Sequence, residues 1–256
     1  MKLCKGVALA LTVSYGLTYC HTTKSKLTLE QQGDSLAVIH ITNPTNYILL
    51  PIEEEAPESQ VLLHTGEAAD TDMDIRLAQN QVDYFVPFAL PVGAKTATVR
   101  VRNKSKDALC WKEIKLSDTF DTTNTEKFRP VYHHTPLYGW MNDANGLVYK
   151  DGEYHLYYQY NPYGSKWGNM HWGHSVSKDL MHWEHLEPAI ARDTLGHIFS
   201  GSSIVDQENT AGYGEGSILA FYTSASDKNG HAKSGLFVVE TGGADSGGWC
   251  LRGRKF

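Results

Sequence analysis

Cysteine, helical periodicity and long runs of one charge are all scarce in this 256-residue sequence, and each scarcity excludes a class of protein. Four cysteines, of which Cys4 would be lost with the leader described below, do not imply a disulfide framework. The formal net charge is −6 and no long basic run is present, so the electrostatic footprint of a nucleic-acid-binding protein is missing. A composition of 41% hydrophobic and 20% charged residues is typical of a soluble globular protein, not of a disordered or membrane protein.

The first twenty residues have the features of an export signal. Lys2 and Lys5 precede an uncharged stretch, 6–20, which is too short to span a bilayer but suits a signal h-region. Cys20 is followed by a polar HTTKSK, as in a bacterial lipoprotein signal, although the bulky Tyr19 before it is atypical. Two alternatives stay open, a lipid anchor on Cys20 or simple cleavage. Both predict an exported protein, either periplasmic or anchored at the outer membrane and cell surface.

Residues 24–125 predict a small β-sandwich. No apolar run keeps a period of 3.6 residues, whereas short segments of alternating or β-branched residues recur between clusters of Asn, Pro, Gly and Asp. These segments are DSLAVIHI, NYILLPI, QVLLHT, YFVPFAL, TATVRVR and CWKEIKL. The Ser/Thr/Asn-rich stretch 117–128 predicts a linker to the next domain.

Two groups of side chains raise the question of a metal site. GEAADTDMDIR carries Asp70, Asp72 and Asp74 but lacks the Gly and the distant Glu of an EF-hand loop, so we expect a solvated acidic loop. The second group consists of four histidines within one predicted hairpin, His171, His174, His182 and His185. Positions three apart in a strand point to opposite faces, and no H-E-x-x-H motif or Cys pair at zinc spacing is present. Paired, partly buried imidazoles are the favoured interpretation, and no metal is expected.

Successive β-hairpins are predicted after Arg129. GLVYKDGEYHLYYQY predicts two strands joined at Asp151-Gly152, a strong hairpin signal. MHWGHSVSKDLMHWEHLEP predicts a second pair with a turn at Lys178-Asp179, and HIFSGSSIVD with GSILAFYTSAS predicts a third. Hairpins at this spacing are typical of a sandwich, a barrel or a propeller, and the pattern does not choose among them.

One carboxylate, Asp143, lies in an unusually aromatic stretch, GWMNDANG. Its Asn and Gly neighbours are turn formers, and on spacing alone a turn is the simpler interpretation. The functional alternative is a carboxylate held beside a sugar-binding surface. Trp140 and Trp167 would offer that surface, and Asn142 and Gln159 would offer amide hydrogen bonds to sugar hydroxyls.

Residues 129–206 resemble the start of the catalytic domain of glycoside hydrolase family 32, which includes invertases, inulinases and levanases. The resemblance rests on three ordered motifs, RPVYHHTPLYGWMNDANG, YHLYYQYNPYGSKWGNMHWGHSVSKDLMHWEHLEPAI and GHIFSGSSIVD. Ala144, where many members have Pro, is similar to the levanase-like bacterial branch, and 24–125 is similar to an N-terminal module of Bacteroidetes members. The resemblance implies an all-β chain in which a β-sandwich is followed, over residues 126–256, by the first blades of a five-bladed β-propeller.

The resemblance also implies the chemistry. Asp143 would be the nucleophile that attacks a fructosyl unit of levan, inulin or sucrose, in a retaining double displacement that needs no cofactor and no metal. The positions that would line the fructose subsite are Asn142, Gln159, Trp167, Phe199 and Ser200, with Trp140 beside them. A second carboxyl group, about 5–5.5 Å from the nucleophile, would act as acid and then as base.

Two motifs of the family are not found in this sequence. The Arg-Asp-Pro motif, whose Asp stabilises the transition state, is not matched by Arg192-Asp193, which lacks the Pro and lies just before HIFSGS. The Glu-Cys motif of the acid/base is not matched either, since no Cys follows Glu208, Glu215 or Glu240. We therefore expect an incomplete, C-terminally truncated catalytic domain, with negligible activity by itself and a break in the reading frame near residue 231.

Other interpretations stay open at this point. A non-catalytic remnant that captures fructan is the main alternative. A five-bladed furanosidase of the arabinan-acting kind is a third, which the run from WMNDANG to YYQYNP disfavours. Levan, inulin and sucrose, and both exo and endo cleavage, remain alternatives, and the sequence makes no prediction of oligomeric state.

Overall fold

The structure, a computed structural model, describes residues 24–64, 71–91, 93–123, 129–193, 196–225, 232–240 and 250–255. The predicted signal segment, with Cys20, lies outside the described residues, as does Asp70. Within these ranges the chain forms sixteen strands and one helix of four residues. No helix in the described part is long and apolar enough to cross a membrane. The predicted all-β fold is confirmed.

The N-terminal eight strands form two antiparallel sheets around one hydrophobic core. They are β1 (Lys26–Gln31), β2 (Leu36–Thr42), β3 (Tyr47–Ile52), β4 (Ser59–His64), β5 (Thr71–Ile75), β6 (Tyr84–Ala89), β7 (Thr96–Arg102) and β8 (Lys115–Ser117). The larger sheet has the order β1-β2-β7-β4-β5 and the smaller has the order β6-β3-β8. Ile39 and Val99 of the larger sheet share a core with Ile48 and Val86 of the smaller one, which is the arrangement of a β-sandwich.

Two segments of the sandwich differ from their predictions. CWKEIKL, predicted as one strand, begins with helix α1 (Cys110–Glu113), because Cys110 and Ile114, four residues apart, both turn toward the core. The acidic segment predicted as a solvated loop contains strand β5, Thr71–Ile75. Met73 and Ile75 alternate into the core there, and Asp72 is buried, where it accepts a 2.8 Å hydrogen bond from Gln60 Nε2.

The remaining strands form two four-stranded antiparallel sheets. The first contains β9 (Trp140–Lys150), β10 (Glu153–Asn161), β11 (His171–Ser177) and β12 (Glu184–Ile190); the second contains β13 (His197–Asp206), β14 (Ser217–Ala225), β15 (Ala232–Glu240) and β16 (Cys250–Lys255). In each sheet the strands are neighbours in chain order, which is how a propeller blade is built. We call these sheets the first blade and the second blade. Tyr157, Trp172, Ile198 and Tyr222 pack in one core between them.

Both turns predicted within the first blade lie between the strands that they were expected to join. At Asp151-Gly152 both residues have positive φ, +53° and +87°, as a two-residue hairpin turn requires, so this predicted hairpin is confirmed. The turn predicted at Lys178-Asp179 is also confirmed in place, because both residues lie between β11 and β12, although the connection there is six residues long. There Asp179 Oδ1 accepts hydrogen bonds from the backbone N–H groups of Met181 and His182, both at 2.8 Å, which stabilises a wider loop.

The four histidines of the first blade lie in different surroundings. His171 contacts Tyr163 and bonds the Asn169 carbonyl, whereas His174 stacks on Tyr157 and bonds His155 at 3.1 Å. His185 lies against His134, and His182 bonds Asp179 on the surface. The opposite directions predicted for His171 and His174 are therefore confirmed, as is the pairing of buried imidazoles.

Candidate active site

Asp143 lies on a β-bulge of strand β9. In the pairing of β9 with β10, Tyr158 faces Ala144 and Tyr160 faces Met141, so that Asn142 and Asp143 together oppose the single residue Gln159. A bulge of this kind turns a side chain out of the regular alternation and is frequent beside active sites. Asp143 is thereby exposed, whereas Asn145, two residues later on the same strand, is buried.

A second bulge, on β13 of the next blade, presents the partner of Asp143. Ile198 pairs with Ser224 and Gly201 with Tyr222, so Phe199 and Ser200 together oppose one residue of β14. Gly201 allows this close approach, because a Cβ atom at this position would lie 1.8 Å from the carbonyl oxygen of Phe221. The two bulges face each other, which brings Ser200 onto Asp143.

The carboxylate of Asp143 is held by two hydrogen bonds. Ser200 Oγ donates to Oδ2 at 2.8 Å, and Asn142 Nδ2 donates to Oδ1 at 3.2 Å. Both bonds favour the charged form, so they lower the pKa of Asp143 below its ordinary value, with the Ser200 bond as the larger cause. Asp143 is therefore an ionised, oriented carboxylate at neutral pH, as a nucleophile must be.

Trp140 orients Asn142. Its indole N–H donates to Asn142 Oδ1 at 2.9 Å, which leaves the Asn142 amide N–H to face Asp143. Trp140 is half-buried. The indole N–H of Trp140 thus bonds within the site. A series of hydrogen bonds joins Trp140, Asn142, Asp143 and Ser200 across the two bulges.

Trp167 provides an open aromatic face near this chain. Its side chain is 53% exposed, although the ring is supported from two sides. It stacks on His197 with ring centres 5.5 Å apart, and it meets the edge of Phe199 at 6.1 Å. Trp172 Nε1 donates to the Phe199 carbonyl at 3.0 Å and so fixes the bulge from below. A rigid, exposed aromatic face next to convergent polar groups suits the binding of a sugar ring.

Gln159 lies beneath the site. It is 2% exposed, and its Nε2 donates to the carbonyl oxygen of Ile198 at 3.0 Å, which links β10 of the first blade to β13 of the second. The structure thus brings together Asn142, Asp143, Phe199 and Ser200, with Trp140 and Trp167 on either side, and buries Gln159 under them. Two supporting residues were not predicted, His197 under Trp167 and Gly146 between the blades, because neither carries a signal of its own in the sequence.

Among the described residues, the side chains that hydrogen-bond the Asp143 carboxylate are Ser200 and Asn142, and neither of them carries a carboxyl group.

Two family models match consecutive parts of the chain. Residues 133–243 match the family model "Glycosyl hydrolases family 32 N-terminal domain", and residues 33–132 match the "Domain of unknown function (DUF4980)". The chain is 57% identical over 109 residues to a levanase of Bacillus subtilis, a match that covers 41% of this chain and 16% of the relative. It is 43% identical over 114 residues to an extracellular exo-inulinase of Aspergillus awamori, covering 41% of this chain and 21% of the relative.

A solved structure of exo-inulinase from Aspergillus awamori is also similar, with 34% identity, a TM-score of 0.42, and coverage of 52% of this chain and 28% of that chain. The matched part of the chain thus spans about a fifth or less of the length of the curated relatives named here.

Proposed function

Because residues 133–243 match the N-terminal domain of glycoside hydrolase family 32, we propose that Asp143 is the nucleophile of a retaining glycosidase that hydrolyses β-fructofuranosyl linkages. The observation that carries this proposal is the ionised carboxylate of Asp143, held by Ser200 at 2.8 Å and by Asn142 at 3.2 Å. Trp167 adds the exposed aromatic face against which a sugar ring packs.

The reaction proceeds in two displacements. One oxygen of Asp143 forms a bond to the anomeric carbon of the fructosyl unit while the glycosidic bond breaks, and the departing oxygen takes a proton from a general acid. Water then attacks the same carbon, the ester bond to Asp143 breaks, and the general base removes the proton of the water. Ser200 and Asn142 keep the attacking carboxylate ionised and oriented for the first step. No step requires a metal or an organic cofactor.

The substrate class is a fructan, or sucrose. The names of the two similar proteins, a levanase and an exo-inulinase, support a fructan, and the fructosyl unit is common to levan, inulin and sucrose. The second carboxylate is missing from the motif positions of this sequence, so the 256 residues alone are expected to hydrolyse very slowly. Losing a general acid typically costs about 10²–10⁴-fold in rate.

Export is part of the proposal. The first twenty residues carry the features of a signal, and one similar protein is named an extracellular exo-inulinase. A lipid on Cys20 would hold the protein at a membrane surface near polymeric substrate. Metabolic labelling with a radioactive fatty acid, compared between the native chain and Cys20→Ser, tests the anchor.

Sugar binding and hydrolysis are tested together on the purified chain. Tryptophan fluorescence is followed while levan, inulin or sucrose is added, and fructose release is measured in the same samples. We expect saturable binding that Trp167→Ala weakens at least tenfold. The matched control is Tyr149→Ala, since Tyr149 is also an exposed aromatic residue but lies at the far end of β9. Binding that is absent, or that both variants weaken equally, contradicts the proposal.

The same samples separate an enzyme from a binding remnant. Slow fructose release that Asp143→Asn abolishes supports a glycosidase whose acid catalyst is missing. Binding without any release, unchanged by Asp143→Asn, supports capture of fructan alone.

A further inference from the structure

A cavity of about 310 Å³ lies between the β-sandwich and the first blade. The sandwich contributes Glu54, Glu58, Asp74 and Arg76 to its walls, the first blade and its β10–β11 connection contribute Trp167 and Asn169, and His197 of the second blade lies beside Trp167. We call it the inter-domain cavity. Its volume is at the lower end of the range of about 300–1,000 Å³ that ligand pockets span. It is therefore the size of a site for a small ring, formed by both parts of the chain.

The inter-domain cavity adjoins the candidate active site through Trp167. The indole ring of Trp167 lines the cavity, and it packs on Phe199 at 6.1 Å between ring centres. Phe199 precedes Ser200, which donates its hydrogen bond to Asp143. His197, which supports Trp167, also lines the cavity. One aromatic ring is thus shared between the cavity and the site of the nucleophile.

The two walls of the cavity are fixed to each other by buried hydrogen bonds. Asn169, which is 2% exposed, accepts the backbone N–H of Asp74 at 2.9 Å through Oδ1 and donates to the Asp74 carbonyl at 2.8 Å through Nδ2. Arg192 Nη1 donates to the same Oδ1 at 2.8 Å. Lys166 Nζ donates to the Glu54 carbonyl at 3.0 Å on the other side. The blade and the sandwich therefore present a preorganised cavity, which lowers the entropic cost of binding.

The lining suits an uncharged, polyhydroxylated ring. Arg76 donates to the Ala56 carbonyl and to Glu58 Oε1, both at 2.9 Å, and a guanidinium has five N–H donors in all. The side chains of Arg76 and Glu58 remain 32% and 51% exposed, so both keep hydrogen-bonding capacity for a ligand. The hydrogen-bond donors of Arg76 and the acceptors of Glu58 match sugar hydroxyls, and the aromatic face of Trp167 matches the apolar face of a sugar ring.

We propose that the inter-domain cavity is an accessory subsite, which binds a sugar unit of a fructan chain other than the unit attacked by Asp143. The N-terminal sandwich then takes part in substrate selection and favours a polymer over sucrose. This inference rests on the function proposed above, because a fructan must occupy the neighbouring site.

The test compares short and long substrates on cavity variants of the whole chain. Calorimetry measures the Kd of sucrose and of a levan-type fructopentaose for the native chain, Glu58→Gln and Arg76→Gln. We expect the pentaose to bind at least tenfold more tightly than sucrose to the native chain. Both variants should remove most of that difference while the Kd for sucrose stays within twofold. The half-exposed Glu58→Gln keeps the test valid if Arg76→Gln unfolds, which thermal unfolding reports.

The matched control is Arg102→Gln. Arg102 also hydrogen-bonds a neighbouring side chain, Gln60 at 3.2 Å, but it is not among the cavity residues. Equal affinity of the native chain for sucrose and pentaose, or cavity variants that behave like the control, overturns the accessory subsite and leaves the proposed function standing. Equal weakening of both sugars by the cavity variants also overturns it, because the cavity would then not select a polymer. A native chain that binds neither sugar overturns the subsite and the proposed function together.

Discussion

Ser200 Oγ donates a 2.8 Å hydrogen bond to Asp143 Oδ2, and each of the two residues lies on a two-residue bulge in a different blade. The contact therefore links two sheets whose strands do not pair with each other. It also favours the charged form of the candidate nucleophile, because it is the largest cause of the lowered pKa of Asp143. The site thus depends on how the two blades are placed.

Removing the Ser200 hydroxyl should raise the pKa of Asp143. Ser200→Ala deletes the bond that favours the charged carboxylate, so the midpoint of the Asp143 titration moves to higher pH. A carbon-detected NMR titration of the Asp143 carboxyl group measures this midpoint directly. Ser202→Ala, at an exposed position of the same strand, is the control and should leave it in place. An unchanged midpoint in Ser200→Ala would mean that the hydrogen bond does not hold the carboxylate.

Gly146→Ala should destabilise the contact between the blades. Gly146 has φ +58°, and an added Cβ would lie 2.8 Å from both Ser203 Oγ and the Trp172 ring. Overpacking of a core typically costs about 1–3 kcal/mol, in addition to the strain of the left-handed backbone. Chemical unfolding measures the loss. Gly212→Ala shares the positive φ but meets nothing within 4 Å, so it should lose only the part due to the backbone.

The hydrogen bonds of Asn169 should stabilise the junction of sandwich and blade. Asn169→Gly suits the φ of +41° but removes the bonds to Asp74 and Arg192, and we expect a loss of about 2–3 kcal/mol at about 1 kcal/mol per bond. Asn43→Gly is the matched control, because Asn43 has a similar φ of +49° at a turn of the sandwich. Equal free energies of unfolding for the two variants would show that the junction does not depend on Asn169.

Buried histidines should make the fold sensitive to acid. Burial lowers the pKa of His134 and His171 to about 4 and that of His174 to about 3. Between about pH 6.5 and 4 these imidazoles are therefore protonated in the unfolded chain but neutral in the folded chain. The free energy of unfolding consequently falls as pH decreases from about 6.5 toward 4. Each such imidazole contributes about 1.4 kcal/mol per pH unit to this slope.

His174→Gln should reduce that slope, as measured by urea unfolding at several pH values. The control is His182→Gln, because the hydrogen bond to Asp179 raises the pKa of the exposed His182. Its small contribution is present at low pH and is lost as pH rises, which is the opposite sign. A slope that His174→Gln leaves unchanged would mean that His174 takes up a proton within the folded protein.

The sequence predicted the strands and hairpins better than the β-bulges that interrupt the strands. Asp151-Gly152 located a hairpin because its two positive φ values are a local property of those residues. The bulges at Asp143 and Ser200 are not local, since a bulge is defined only against the register of the partner strand. Asp72 was predicted to be solvated because its neighbours are acidic, but the burial of Met73 and Ile75 on β5 decides its surroundings. Tertiary packing overrides local composition at such positions.

The site residues came from the family resemblance rather than from pattern. On spacing alone, GWMNDANG favours a turn, whereas Asp143 lies within an eleven-residue strand. The meeting of Asp143 with Ser200, 57 positions later in the chain, follows from the packing of the blades. The break in the reading frame near residue 231 stays a prediction. Strands β15 and β16 complete the second blade on either side of residues that lie outside the described part.

The measurement that tests the central claim most directly is the trapping of a sugar on Asp143. β-Fructofuranosyl fluoride carries a leaving group that needs no general acid, so the first displacement proceeds even where the acid/base carboxyl is missing. The chain is incubated with this donor, quenched in acid and digested with trypsin, and the peptide that ends at Lys150 is sequenced by mass spectrometry. We predict one fructosyl group, esterified to Asp143 and absent from Asp143→Asn. A sugar attached to another residue, or an equal yield in Asp143→Asn, would contradict the assignment of Asp143 as the nucleophile.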